Sequence, residues 1–358
     1  MVTLTLLTML NQFSTHGGVT VRTTATIKDV ALAASVSPAT VSLVLNDVSD
    51  SRIPEHTAQR VRAAAHALGY APNSLARGLR RRRSDTIALI SDDVASTPFS
   101  VRMIEAVHEV AHDSGLLLFL IHTGGDPAEE VAAATTLRRQ QVDGVLYASM
   151  HHRVVDLRAA LGARTVLLDA RTAKASVPAV VPDERAGAYA AVTELVEHGH
   201  RRIAFVNDFY ATEAARLRFA GYRDALKAAG IRYDRRLVVF AEPGLASSAQ
   251  AAIQLYEETG FTGLFCFNDR VAVGAGQGLR GHGLAVPRDV SIVGFDDQDF
   301  VASYAEPPLT TVALPHYQMG LWAARTLIDM VNGEVVAPKT HLMPCALVRR
   351  DSVTTPPG

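Results

Sequence analysis

The stretch TIKDVALAASVSPATVSLVLN, residues 26–46, decides the reading of this chain. It parses as two short helices joined by a tight turn. Thr26 stands as N-cap with Asp29 three residues on, an acid placed where the helix dipole and free backbone N–H groups favour it. Val30, Ala31 and Ala34 then share one face. The turn falls on Ser35, Val36 and Ser37. Ser37 followed by Pro38 opens a second helix, because proline at the first helical position gives up no hydrogen bond. In that helix Val41, Val44 and Leu45 point inward. Pro38, Ala39, Thr40 and Ser42 are left outside, small enough to let a helix sink into a major groove and bring its N-terminal end to base edges. This is the pattern of a helix-turn-helix reader of DNA. Its rival is a polar-faced helical hairpin on a bundle surface.

The residues after Asn46 favour the DNA reader. A third helix begins near Pro54 and runs through Val61, Ala64, Ala65 and Leu68 to a stop at Gly69. Three helices suffice to bury a small core. A short amphipathic piece, SLARGL at 74–79, precedes four consecutive arginines, Arg80 to Arg83. Charge divides along the chain in the same way. Residues 24–84 hold nine basic and four acidic side chains, whereas residues 85–358 hold 25 basic and 32 acidic. A whole-chain net charge of −1 therefore hides a basic end suited to a phosphate backbone and an acidic body repelled by it.

From residue 26 to about residue 90 the chain resembles the lac repressor (LacI/GalR) family of bacterial transcription regulators. The motifs that carry the resemblance are TIKDVA at 26–31, VSPATVSLVLN at 36–46, RIPEHTAQRV at 52–61, LGYAPNSLARGL at 68–79 and TIALI at 86–90. It implies a headpiece of three helices, a hinge helix that forms on operator DNA, and a leucine that wedges into a minor-groove step of a palindrome bound by a dimer; here that leucine is Leu79. An apolar wedge of this kind offsets unstacking by bending the duplex toward more protein. The implied DNA contacts are Thr26, Ser37, Pro38, Ala39, Thr40, Ser42, Leu43, Asn46, Asn73, Leu79 and Arg80, with Arg77 and the rest of the arginine run near phosphates. A solvated linker is the other reading of such a run. Leu43 departs from the base-reading polar or basic residue common at its position, and the loop 47–53 is longer than in the founding member.

The N-terminal segment 1–24 lacks the basic flank of a signal peptide and reads as a disordered extension or a start assigned too early. Two cysteines, Cys266 and Cys345, make no disulfide framework, which suits a reducing cytoplasm. No stretch is long and apolar enough to span a bilayer.

Beyond residue 85 short apolar strands alternate with amphipathic helices. Strands are expected at 86–91, 116–121, 144–148, 164–168, 203–206, 237–240, 263–267 and 290–295. Helices are expected at about 101–114, 128–140, 154–161, 184–198, 214–229, 246–259, 269–281 and 317–332. Such alternation implies parallel sheets covered on both faces. The expected architecture is α/β: a small all-α headpiece at 25–72, a hinge and basic linker at 73–85, a bilobed domain of two doubly wound sheets at 86–350, and a tail at 351–358. The region 86–350 is similar to the effector domain of the same family, shaped like the periplasmic sugar-binding proteins. Its motifs include ARLRFAGYRDAL at 215–226, FCFNDRVAVGA at 265–275 and VSIVGFDD at 290–297.

That resemblance implies effector contacts at Phe99, Ser100, Asp169, Arg218, Asn268 and Asp296. The chemistry suits a small polar ligand such as a sugar, because Asp accepts paired hydroxyls, Arg donates a planar fork and Phe offers an apolar face. Each has a structural rival. Asp296 with Asp297 turns the chain, Asn268 with Asp269 caps the next helix, and Arg216 is the structural arginine beside a functional Arg218. Leu245 stands where relatives often carry an aromatic platform, and Leu314 and His316 also differ from common pocket residues.

Two motifs point elsewhere. HEVAH at 108–112 matches a zinc-hydrolase signature, with His108 and His112 as ligands and Glu109 as base, but Leu118 stands where a third histidine belongs. GQGLRG at 276–281 matches a dinucleotide fingerprint but lies inside or at the end of a helix, so packing explains it better. His151, His152, His198 and His200 read as surface or capping groups. The expectation is a homodimeric, ligand-responsive repressor that binds a palindromic operator, is not an enzyme, and needs no metal or cofactor. The alternative is a solute-binding protein, or a zinc hydrolase using His108, Glu109 and His112, with a vestigial headpiece.

Overall fold

A computed structural model describes residues 25–45, 53–70, 83–94, 97, 100–156, 161–162, 164–210 and 212–357. They fall into two compact units divided between residues 82 and 83. The first holds α1 (Ile27–Ala33), α2 (Pro38–Leu45) and α3 (Glu55–Ala67). Asp29 holds the start of α1, accepting from the Thr26 backbone N–H at 2.8 Å and the Thr26 hydroxyl at 2.7 Å. Ser37 caps α2 by accepting from the Thr40 N–H at 3.1 Å. Between them Ser35 takes a left-handed backbone, φ 52°, and the chain bends through 101°. Val30, Val41 and Val61 are fully buried with Val44 and a few alanines in one small core. Arg60 on α3 ties that helix to α1 through the Ala34 carbonyl.

The second unit contains two lobes. The first is a six-stranded sheet in the order β11-β5-β4-β3-β1-β2, all parallel. Its strands are β1 (Thr86–Ser91), β2 (Leu117–His122), β3 (Gly144–Val154), β4 (Thr165–Arg171), β5 (Ala179–Pro182) and β11 (Thr340–Met343). Helices α4 (Val101–Asp113), α5 (Pro127–Gln140) and α10 (His316–Val331) cover it. β1, TIALIS, is buried on both faces, which explains why it reads as one apolar run and not as an alternation.

The second lobe is a parallel sheet in the order β7-β6-β8-β9, from β6 (Ile203–Asp208), β7 (Val238–Ala241), β8 (Gly263–Cys266) and β9 (Ser291–Val293). It packs against α6 (Glu184–Glu197), α7 (Glu213–Ala228), α8 (Leu245–Thr259) and α9 (Asp269–Gly281), with a short antiparallel pair of β10 (Thr311–Ala313) and β12 (Ala346–Val348) beside it. Phe205, Tyr222 and Phe265 form its centre, and the Tyr222 hydroxyl donates to the Ile203 carbonyl at 2.8 Å. The chain passes between lobes three times, after β5, after β10 and after β11, and each passage carries a proline: Pro182, Pro315 and Pro344.

Several sequence expectations change here. β3 continues to Val154, so the helix expected at 154–161 does not begin there, and residues 157–160 lie outside the described ones. β5, β10, β11 and β12 were not expected; at three or four residues each, they are too short to show a strand pattern in the sequence. The last residues are stitched to β9: the Ser352 hydroxyl donates to the Ile292 carbonyl at 2.6 Å and accepts from the Thr310 N–H at 2.8 Å. His200 is not a surface group. It is buried, with its ring nitrogens 3.0 Å from the Thr262 hydroxyl and 2.9 Å from the Thr354 carbonyl.

The glycines of 276–281 serve helix packing. A Cβ on Gly278 would stand 2.7 Å from the Ala249 carbonyl of α8, and one on Gly274 2.6 Å from that of Leu245. Gly278→Ala therefore forces α8 and α9 apart and is expected to lower stability by about 1–3 kcal/mol, measured by denaturant unfolding. Glu109 of HEVAH accepts from the Tyr317 hydroxyl, while His108 and His112 stack at 6.2 Å on the outer face of α4. Among the described residues no helix is long and apolar enough to cross a membrane.

Candidate functional site

On the DNA-reading unit, Pro38 and Ala39 are exposed at the start of α2, and Leu43 is 39 % exposed on the same helix. Thr40 and Ser42 are half-buried. The hydroxyls of Ser37 and Thr40 lie 2.9 Å apart, so Ser37 shapes the helix start as well as facing outward. Thr26 is likewise spent on Asp29. Asn46, Asn73, Leu79 and Arg80 lie outside the described residues, as does the expected hinge helix.

In the larger unit a cleft of about 800 Å³ opens between the lobes. Thr97 and Arg102 line it from the first lobe, Arg270, Asp296 and Phe300 from the second, and His316 from a crossover. Leu245 does not line this cleft but an adjoining cavity, which shares Arg270, Phe300 and Val301 with it.

Behind the cleft the side chain of Arg218, on α7, is only 3 % exposed. Its Nε donates to Glu184 Oε2 at 2.7 Å, its Nη1 to the Phe267 carbonyl, and its Nη2 lies 3.3 Å from Asp296 Oδ1. Its plane rests against the rings of Phe295, at 3.7 Å, and Phe267, at 4.5 Å. Burial alone would lower its pKa, but Glu184 and Asp296 hold it charged, above the ordinary value. Arg216 is its structural neighbour, paired with Glu213 at 2.9 Å.

Asp296 sits just past β9 with φ 104°, and Asp297 beside it with φ 53°. A non-glycine backbone in this region is strained and persists where its surroundings hold it, often at functional sites. Asp297 is held by Arg350 at 2.7 Å. Asp296 accepts from Gln298 at 3.0 Å, and burial, against the pull of Arg218, raises its carboxyl to about 6.

A raised carboxyl pKa means the folded chain keeps a proton that the unfolded chain has released, so this contribution to stability falls as pH rises from about 4 through 6. Asp296→Asn removes that titration. Its stability relative to wild type is expected to improve by about 2 kcal/mol between pH 4 and pH 7.5, read from denaturant curves at both values.

Asp169 lies where the β3–β4 ladder breaks. Leu168 pairs Ala148 and Ala170 pairs Arg153, so residues 149–152 of β3 stand opposite Asp169 alone. Bulges of this kind re-aim side chains beside binding sites. Asp92 at the end of β1 pins the bulge by accepting from the Met150 N–H at 2.8 Å and the Ser149 hydroxyl at 2.9 Å. Asp169 also has a left-handed backbone, φ 53°; its Oδ1 is buried without a donor, and burial, reinforced by Glu184, pushes its pKa well up.

The bulge carries His151 and His152, both expected on the surface; His151 is exposed there and His152 is not. His152 is buried with neither ring nitrogen partnered. His151 lies within the electrostatic reach of Asp92, Asp208, Arg218 and Arg270 from both lobes. Desolvation holds both rings below the ordinary histidine pKa.

The residues expected to bind ligand therefore divide. Arg218, Asp296 and Asp169 form one electrostatic group. Ser100 donates to the Val94 and Thr97 carbonyls, both at 2.9 Å, so its hydroxyl is committed to its own loop. Asn268 caps α9, its Oδ1 accepting from the Val271 N–H at 2.9 Å. Phe99 lies outside the described residues. Glu184 escaped the sequence reading. Its signal is the acid pair Asp183-Glu184 after a buried strand: Asp183 caps α6 through the Ala186 N–H, which frees Glu184 to turn inward.

Two lobes around a ligand-sized cleft, in a chain whose other unit is a helix-turn-helix, define a ligand-responsive DNA-binding regulator. The chain belongs to the LacI family of bacterial transcriptional regulators. The profile for bacterial regulatory proteins of the lacI family matches residues 26–73, and that for a periplasmic binding protein-like domain matches residues 192–353. The chain is 34% identical to the HTH-type transcriptional regulator RegA of Clostridium saccharobutylicum, over 91% of this chain and 98% of the relative. It is also 34% identical to the HTH-type transcriptional regulator GalR of Escherichia coli (strain K12), over 93% of this chain and 96% of the relative. Among solved structures, a complex of the regulator CelR with cellobiose aligns with TM-score 0.66 and 32% identity, over 92% of this chain and 99% of that one. The lac repressor dimer bound to operator and the anti-inducer ONPF aligns with TM-score 0.78 and 26% identity, with the same coverage. These relatives are regulators, not enzymes.

Proposed function

We propose that this protein is a cytoplasmic homodimeric repressor that binds a palindromic operator and is switched by a small polar effector, a sugar, held between the lobes of its larger unit. The observation that carries the reading is the buried group of Arg218, Asp296 and Asp169 behind the cleft, in a chain whose other unit offers the small-residue face of α2. Asp169 Oδ1 lacks a donor, and a sugar hydroxyl supplies one. The cellobiose bound by CelR is a ligand of this class. Edge strand β2 presents Leu117, Phe119 and Leu120, 38–58 % exposed, as an apolar surface for a second copy of the chain. Ligand that closes the lobes changes the spacing of the two linkers in such a dimer, a coupling of about 1–3 kcal/mol.

The test is a thermal-shift screen of the full chain against sugars, polyols and nucleobases. A neutral sugar is expected to raise the melting temperature, and Asp169→Asn to remove most of that rise. A shift that survives Asp169→Asn takes Asp169 out of the site.

A further inference from the structure

We propose that the inter-lobe site selects its ligand by charge, accepting uncharged or cationic polyhydroxylated molecules and rejecting carboxylates and phosphates, and that Glu184 sets this preference. The proposal rests on the reading of the cleft as the effector site. A buried arginine at a ligand site ordinarily recruits an anion, because its planar fork matches carboxylate and phosphate oxygens. Arg218 is not available for that. Nε is taken by Glu184, Nη1 by the Phe267 carbonyl and Nη2 by Asp296, while aromatic rings lie against its plane.

The charge around it is also against an anion. Glu184 is 2 % exposed and with Asp296 places two carboxyl groups on one guanidinium, while burial holds Asp169, 3 % exposed, toward its neutral form. Neither His151 nor His152 offsets them, since both rings are held below the ordinary histidine pKa and only His152 is buried. Nearer the mouth, Arg102 pairs with Glu105 at 3.7 Å and Asp297 with Arg350 at 2.7 Å, while Arg270 shares the second-lobe wall with Asp299. An anion reaching Arg218 would lose water and meet like charge where screening is weak. A hydroxyl or ammonium hydrogen instead meets the undonated Asp169 oxygen. Glu184 is fixed in this role by the chain path: it opens α6 directly after the Pro182 crossover, with Asp183 as the cap.

Titration calorimetry of the full chain with inorganic phosphate tests the proposal. Wild type is expected to give no binding, and Glu184→Gln to gain at least about tenfold in phosphate affinity, a gain that disappears in Glu184→Gln/Arg218→Gln. Asp296→Asn, whose amide keeps an oxygen for the fork and frees one charge, is a second route to the same gain if Glu184→Gln does not fold. Wild type that binds phosphate as tightly as Glu184→Gln, with binding lost in Arg218→Gln, overturns charge selection and leaves the cleft as the ligand site. Folded variants that gain no phosphate affinity overturn the role of Glu184. The reading of the cleft fails separately, when a neutral sugar's thermal shift is indifferent to Asp169→Asn.

Discussion

Arg218→Ala is expected to cost the larger unit about 3–5 kcal/mol of folding free energy, because it strands buried charge that has no other counter-ion among the described residues. Glu184 and Asp296 would face each other at the lobe interior without the guanidinium that now bonds or pairs with both. The loss is measured by denaturant unfolding at neutral pH. Neutralising the whole group, with Arg218→Met, Glu184→Gln and Asp296→Asn together, is expected to recover most of it, since replacing all partners of a buried ion group is far less costly than removing one. A loss below about 1 kcal/mol for Arg218→Ala would mean that the carboxylates are solvated after all. Arg218→Ala is consequently a poor probe of ligand contact alone, and Asp169→Asn is the cleaner one.

Val41→Asp is expected to abolish operator binding while the larger unit keeps its melting transition and its ligand response. Val41 is fully buried between Val30, Val44 and Val61, in a core of valines and alanines with little area to spare. A carboxylate there has no partner and must unfold the headpiece or take up a proton. A core this small has no reserve against either. The separation of the chain into two compact units confines the damage. Band-shift assays should show at least about a hundredfold loss of operator affinity. Retained affinity would mean that α2 is not the reading helix.

The headpiece was legible because its signals are local. Thr26 with Asp29, Ser37 with Pro38, and Gly69 after Leu68 each mark an end of a helix by hydrogen bonds made within four residues. The central strands were legible for a related reason: β1, β6 and β8 are buried on both faces and read as apolar runs. Less visible were the features that depend on a partner far along the chain. β11 pairs β5 across some 160 residues, and β12 pairs β10, with no repeat in the sequence to announce either.

The candidate site shows the same division. Arg218 and Asp296 were found through motifs, but that Glu184 joins them was not, because the pairing spans 34 residues and two elements. His151 and His152 looked like surface groups because a polar pair after an apolar strand usually ends it. Here β3 bulges around Asp92 and continues, which leaves His151 exposed and carries His152 inward. Ser100 errs in the other direction: it was expected to contact the effector, but its hydroxyl is consumed by its own loop.

Whether ligand in the lobes governs DNA reading by the headpiece is decided by footprinting the full chain on genomic fragments selected by binding, with and without the sugar found in the thermal screen. A ligand-switched regulator gives a protected palindrome whose affinity falls steeply with salt and changes by about 5–150-fold when the sugar is added. Specific protection that is absent at low salt, or that the bound sugar leaves unchanged, would contradict it.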